Sequence, residues 1–165
     1  HRTRRRQRQM CIRDSLNKGP ARFTAIRNCH SLMKGFFISH KVEIVSYSIF
    51  EHFFLGLKKK PTKSILCLVD TNRRDLAIQK IDTSGKLVGK TKTLKINSDL
   101  IELLSQDYYL IGNGTEKLKD ISEFKFIKSK TLSVTKLKSN YFVNKYYKKK
   151  SNYKFPKIIY PYSPI

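Results

Sequence analysis

A chain of 165 residues has the length of one domain, or of two small lobes sharing a core, at roughly 100–200 residues per domain. Its 35 Lys and Arg against 12 Asp and Glu leave a net charge of +23, which excludes an acidic tail and favours contact with a polyanion. No apolar run approaches the roughly 18 residues of a membrane span, and no apolar stretch follows the basic start, so neither membrane anchor nor secretory signal is expected and the chain reads as cytoplasmic.

Residues 1–15 carry six Arg and one Asp without hydrophobic periodicity, whereas the rest of the chain holds 25 Lys and four Arg. So sharp a break near Ser15 predicts a non-native tail outside the fold. A basic nucleic-acid arm and a transit peptide are the competing readings. Cys11, Cys29 and Cys67 are an odd number without metal or redox spacing. They argue against a disulfide framework and fit two small buried hydrophobes and one stray thiol.

Gly19-Pro20 opens a predicted helix running to about Ser39, with proline in its first turn, where a missing N–H costs nothing. Phe23, Ile26, His30, Met33 and Phe37 recur at helical spacing as one stripe. Ala25, Cys29, Leu32 and Phe36 form a second stripe beside it, and the two together span about half the wheel. Such a helix either lies deep among its neighbours or packs one stripe on its home sheet and offers the other to a partner.

Val42 to Ser46 reads as a short strand, and Ser48 to Leu57 as a helix capped by Ser48. Lys58-Lys59-Lys60-Pro61 breaks that pattern and marks a lobe boundary. Ile65 to Val69 is an apolar run suited to a strand buried on both faces. Strands over Leu76 to Ile81 and Leu87 to Ile96 then complete a meander across two polar turns. A helix capped by Asn97 or Ser98 carries Asp99 and Glu102 in its first turn, favourable beside the positive dipole end. Tyr108 to Ile111 is a further strand, stopped by Gly112-Asn113-Gly114. One broken helix and one Lys-rich helix are expected to about Lys150, and Pro156, Pro161 and Pro164 predict an extended tail.

From Lys125 to Ile165 there are eleven Lys and no acid, interleaved with Tyr141, Phe142, Tyr146, Tyr147 and Tyr153. Lysines beside aromatics can neutralise phosphates and stack bases. An A/T-rich genome produces the same bias, and both readings stand. No metal-ligand spacing and no nucleophile with its base is present. Asp70 ends a buried strand, where a turn role is commoner than a metal or water site. The residues read as a binding or scaffold protein rather than an enzyme, with no cofactor and no metal expected.

Gly19-Pro20-Ala21-Arg22-Phe23-Thr24-Ala25-Ile26-Arg27 resembles the Gly-Pro-Gly-Ser-Phe-Thr-Gly-x-Arg signature of the TsaB family (Gcp-like), the non-catalytic partners in making threonylcarbamoyl adenosine on tRNA. Ser31, Lys34-Gly35 and Ile44 to Glu51 continue the resemblance. Asp70 with Arg73-Arg74 is similar to the family's Asp-Ala-Arg-Arg hairpin, and Gly112-Asn113-Gly114 to its Gly-x-Gly turn. Ala21, Arg22, Ala25 and Cys29 depart from the usual Gly, Ser, Gly and Gly. The family's opening strands do not precede Gly19, so the resemblance implies an N-terminally truncated fragment.

The resemblance implies an α/β, actin-like and sugar-kinase-like fold in part: residues 16–60 as the remainder of the first lobe and 61–165 as the second lobe with a basic C-terminal segment. It implies pairing with a catalytic TsaD-type paralogue and, through the complex, with a TsaE-type ATPase. A tRNA contact and a homodimer are further expectations, and no membrane is involved. The partner-binding residues carried over are Phe23, Arg27, His30, Met33, Lys34 and Phe37. The rivals are a basic RNA- or ribosome-binding module, and an enzyme of the peptidase kind with which relatives have been labelled.

Overall fold

A computed structural model describes residues 13–21, 23–40, 43–119, 121–135 and 157–159. The chain forms β1 (Arg13–Asn17), α1 (Phe23–His40), β2 (Glu43–Tyr47), α2 (Ile49–Leu55), β3 (Ile65–Asp70), β4 (Asp75–Ile81) and β5 (Leu87–Lys95). These are followed by α3 (Ser98–Ser105), β6 (Tyr109–Ile111), α4 (Gly114–Leu118), a 3₁₀ turn over Ser122–Phe124 and α5 (Ile127–Lys130).

β1 and β2 pair in parallel, with Arg13 opposite Glu43 and Asn17 opposite Tyr47, and α1 is the crossover between them. Residues 13–15, set aside with the tail on composition, therefore belong to a strand. The backbone ladder to β2 holds them, and it needs no hydrophobic pattern of their own. The helix expected from Gly19 begins at Phe23 instead. Gly19 sits at φ +103°, outside helical space, where a Cβ would come 2.5 Å from the Ile159 carbonyl oxygen.

The second sheet has the order β5-β4-β3-β6, antiparallel between β3, β4 and β5 and parallel between β3 and β6. β3 is central, and residues 65–69 are all buried, as a run flanked on both faces should be. Side chains alternate across a strand, so the sheet feeds two cores. Leu66, Leu68, Leu76, Ile78 and Leu110 face α3, α4 and α5 and meet Leu100, Leu104, Leu118, Phe124 and Ile127. Ile65, Cys67, Val69, Ala77, Ile81 and Ile111 face the other way, onto fully buried Phe50 of α2.

α2 thus ties the β1–α1–β2 unit to the larger sheet, and its start is well fixed. The Ser48 hydroxyl accepts from the Glu51 N–H at 3.1 Å while Glu51 accepts from the Ser48 N–H at 2.7 Å. This reciprocal box satisfies two donors that a helix start otherwise leaves open.

Between β4 and β5 the register shifts at Ile78/Lys80. Buried Gln79 fills the irregularity, donating to the Val88 carbonyl at 2.9 Å and accepting from the Thr91 hydroxyl at 2.8 Å. Gly112, at φ +103°, lies so close to β3 that a Cβ would come 2.1 Å from the Leu68 carbonyl oxygen. The expected turn at 112–114 is therefore a close approach of backbone to backbone, and Gly114 already opens α4. The broken helix expected after it is the series α4, 3₁₀ turn and α5. The Lys-rich helix and the prolines of the tail lie outside the described residues.

Candidate functional site

Three chain segments converge on Gly19. The Lys18 N–H donates to the Tyr47 carbonyl at 2.8 Å, the Ile49 N–H to the Gly19 carbonyl at 3.0 Å and the Ile159 N–H to the Lys18 carbonyl at 2.6 Å. The Asn17 side chain accepts from the Gly19 N–H at 2.9 Å. The glycine-proline signature is thus the joint between β1, α2 and the segment 157–159, and α1 projects from that joint.

Along α1, Ile26 is 5% exposed while His30, Met33 and Phe37 are half-buried. These residues form the inward, less exposed stripe, and Ile26 reaches Gly19, where a Cβ would come 2.7 Å from its Cδ1. Ala25, Cys29, Leu32 and Phe36 are all exposed, Leu32 at 62% and Phe36 at 38%. Ile38 is 70% exposed. The two stripes read from the sequence are therefore distinguished by exposure, the first less and the second more open to solvent. A Cβ on Gly35 would meet nothing within 4 Å, so this side of the helix is open.

The six residues expected to bind a partner do not form one outward face. His30, Met33 and Phe37 belong to the inward stripe, and the Phe23 side chain lies outside the described positions. Arg27 and Lys34 are exposed, but at about 100° per residue they fall on the flank of the inward stripe opposite Leu32 and Phe36. The apolar flank at 25, 29, 32 and 36 was legible as the second stripe, and only its exposure was not.

Beside that flank, Tyr47 stacks on His52 with ring centroids 6.2 Å apart, and His52 meets Phe53 edge-on at 6.0 Å. Burial raises the Tyr47 hydroxyl above its ordinary value, with a smaller push from nearby Cys29. Burial also lowers His52, favouring its neutral form. This aromatic group joins the end of β2 to α2.

Asp70 lies at the far end of β3. Its carboxylate accepts from the Asn72 N–H at 2.9 Å and pairs with Lys117 Nζ at 2.7 Å, while the Asn113 side chain accepts from the Asp70 N–H at 3.2 Å. Burial alone would raise this carboxyl, but the Lys117 hydrogen bond, the Asn72 N–H and the Lys117 charge together hold it below the ordinary range. Asp70 is a turn residue with an ion pair, the commoner of its two expected roles.

Among the described residues no three His, Cys, Asp or Glu side chains cluster as metal ligands. Cys67 is buried and Cys29 exposed, while Cys11 lies outside the described residues. No helix among the described residues is long and apolar enough to cross a membrane.

A solved structure shares this architecture. The crystal structure of an uncharacterized protein with similarity to peptidase YeaZ from Pseudomonas aeruginosa superposes with a TM-score of 0.58 at 10% identity, covering 92% of this chain and 74% of that one. YeaZ from Pseudomonas aeruginosa gives a TM-score of 0.49 at 12% identity over 67% of this chain and 54% of its own. No protein-family model and no curated protein sequence matches the chain. At these identities the first of the likenesses shows the fold: mixed α/β of the YeaZ, or TsaB, type.

Proposed function

We propose that the chain is a non-catalytic partner subunit of the complex that makes threonylcarbamoyl adenosine beside the tRNA anticodon. In this reading α1 packs against a catalytic TsaD-type paralogue, and a TsaE-type ATPase joins through that complex. The β1–α1–β2 unit is the remainder of a first actin-like lobe, and the four-stranded sheet with its helices is the second.

One observation carries the proposal: α1 leaves Leu32 62% and Phe36 38% exposed beside exposed Ala25 and Cys29 on a single helix flank. An apolar stripe of this kind marks an interaction surface, and a helix face of i, i+3, i+4, i+7 anchors suits helix-to-helix packing. The sequence resemblance adds a second support, because its expected glycines at positions 25 and 29 both fall on this exposed flank. Small residues there would let a partner helix approach closely. Ala25 and Cys29 hold it somewhat farther away. The flank is therefore the docking face, with Leu32 and Phe36 as anchors, and Arg27 and Lys34 lie away from it.

The chain needs no cofactor for this role. Its contribution is to hold the paralogue in a competent state. The test is size-exclusion chromatography of the chain mixed with the catalytic paralogue from the same organism. Stoichiometric co-elution, with tRNA modification restored in the mixture, is the expected outcome. Separate elution refutes the proposal. If the lone chain then retains tRNA, function moves to an RNA-binding module, and if it elutes as a dimer the flank pairs with a second copy.

A further inference from the structure

The Lys58-Lys59-Lys60-Pro61 break covers a cavity that the partner-subunit reading does not use. The cavity measures about 340 Å³ and lies at the start of β3 and β6, with Leu57, Pro61, Tyr109 and Leu132 in its lining and the three lysines around it. Ligand pockets begin at roughly 300 Å³, so this one suits a single small moiety.

Its walls are fixed by the backbone. Leu57 bridges to Val134, and the Thr135 N–H donates to the Gly56 carbonyl at 2.8 Å. A Cβ on Gly56 would come 2.4 Å from the Thr135 carbonyl oxygen, so the loop leaves α2 pressed against the 132–135 segment. On the other side the Tyr109 N–H donates to the Ser64 carbonyl at 3.1 Å and the Leu132 N–H to the Leu110 carbonyl at 2.9 Å. Walls tied together by backbone hydrogen bonds limit the ordering cost of binding.

The charge over it is unbalanced. Lys58, Lys59 and Lys60 are exposed, and no hydrogen bond or ion pair holds their ammonium groups among the described residues. Neighbouring Lys63, by contrast, pairs with Asp107 at 2.7 Å. Three adjacent like charges repel one another, and an anion at the mouth relieves that repulsion. The apolar lining and the Tyr109 ring ask in turn for a flat, weakly polar body below the anion.

From this juxtaposition we propose that the cavity binds a nucleotide unit, with its phosphate on the Lys58–Lys60 loop and its base against Tyr109. Lysines tracking phosphates beside an aromatic platform are the means by which single strands are held without sequence preference. A free mononucleotide and one residue of an RNA strand present the same chemistry. The proposal stands apart from the pairing of α1 and is tested on the full chain alone.

The experiment is fluorescence anisotropy of a labelled oligouridylate ten-mer across a salt series, with unlabelled UMP as competitor. Lys58, Lys59 and Lys60 changed together to alanine should weaken binding at least tenfold at about 0.15 M salt, where distant charges are screened. At about 0.7 counterions per phosphate for single strands, the same triple variant should flatten the log K against log salt slope by about 2. Because a chain of +23 attracts any polyanion, the control removes the same charge elsewhere, at exposed Lys86, Lys95 and Lys128. That control should change affinity by no more than about threefold, since diffuse charge acts weakly through salt. Tyr109→Leu should cost about fivefold or more with the slope unchanged, as the loss of one stacked base does.

Displacement by UMP identifies a free nucleotide as the source. Retention of the ten-mer against UMP identifies a strand. Either supports the site, provided the pocket variants lose more than the control. Equal losses in the two triple variants, or no binding by the native chain, overturn it.

Discussion

Leu32→Glu separates docking from folding on α1. In the free chain Leu32 is 62% exposed, so less than half of the roughly 1.5–3 kcal/mol of a fully buried leucine is at stake. Glutamate and leucine have similar helix propensities. The substitution should therefore cost the isolated chain about 1 kcal/mol or less, a shift of at most about 4 °C in Tm for a domain of this size. In the complex the remaining exposed surface would be covered, worth about 1–2 kcal/mol, and a buried carboxylate without a partner adds several more. Affinity for the paralogue should fall more than about a hundredfold, at 1.4 kcal/mol per decade. Titration calorimetry and thermal melts on the same preparations read both numbers. Met33→Glu should do the reverse in the melt, because Met33 is half-buried on the inward stripe. Native pairing by Leu32→Glu, or loss of pairing with an unshifted melt in Met33→Glu, refutes the assignment of the two stripes.

The exposed thiol reports on the same face: in a Cys11→Ser background Cys29 should react with a maleimide in the native chain and be protected by the bound paralogue, while Cys67, whose thiol burial pushes far up, should react only after unfolding. A native count of two thiols contradicts the burial of Cys67. Gly112→Ala should destabilise by several kcal/mol, since φ +103° is strained for alanine and its Cβ meets the Leu68 carbonyl; a chemical-denaturation midpoint like that of the native chain excludes this packing. Asp70 carries a depressed folded carboxyl, so its stabilising contribution is present above the unfolded value of about 3.9 and is lost as pH falls through the folded one. Asp70→Asn should consequently cost up to about 1 kcal/mol at neutral pH, and the gap should close below about pH 4 in pH-resolved melts. A gap independent of pH assigns Asp70 no ionic role.

What the sequence disclosed about the fold follows from where hydrophobic pattern and backbone demand coincide. The apolar run at 65–69 marked the central strand because both of its faces are covered, one by α2 and the other by α3, α4 and α5. Ser48 announced a helix start, and Glu51 three residues later supplied the second half of the box. Residues 13–15 were missed because a two-stranded parallel ladder is specified by its partner and its crossover, and their composition continues that of the arginine-rich start. Gln79 gave no local signal either. Its neighbours read as a plain strand, and the register shift that needs its amide is set by β5.

The candidate surfaces show the same division. Periodicity separates the two stripes of α1 but cannot say which one the home sheet takes. Both are apolar, and the choice follows from how the Gly19 joint orients the helix. That joint depends on Ile159, at the other end of the chain, and no local window contains it. The cavity under the lysines is likewise invisible along the sequence, since Lys58, Tyr109 and Leu132 meet only once β3 and β6 pair and Thr135 returns to Gly56. A charge run beside a proline marks a chain break in one dimension. In three dimensions the same break is closed at its base by two backbone contacts, which turns three lysines with no partner among the described residues from a solvated linker into the rim of a half-open hollow.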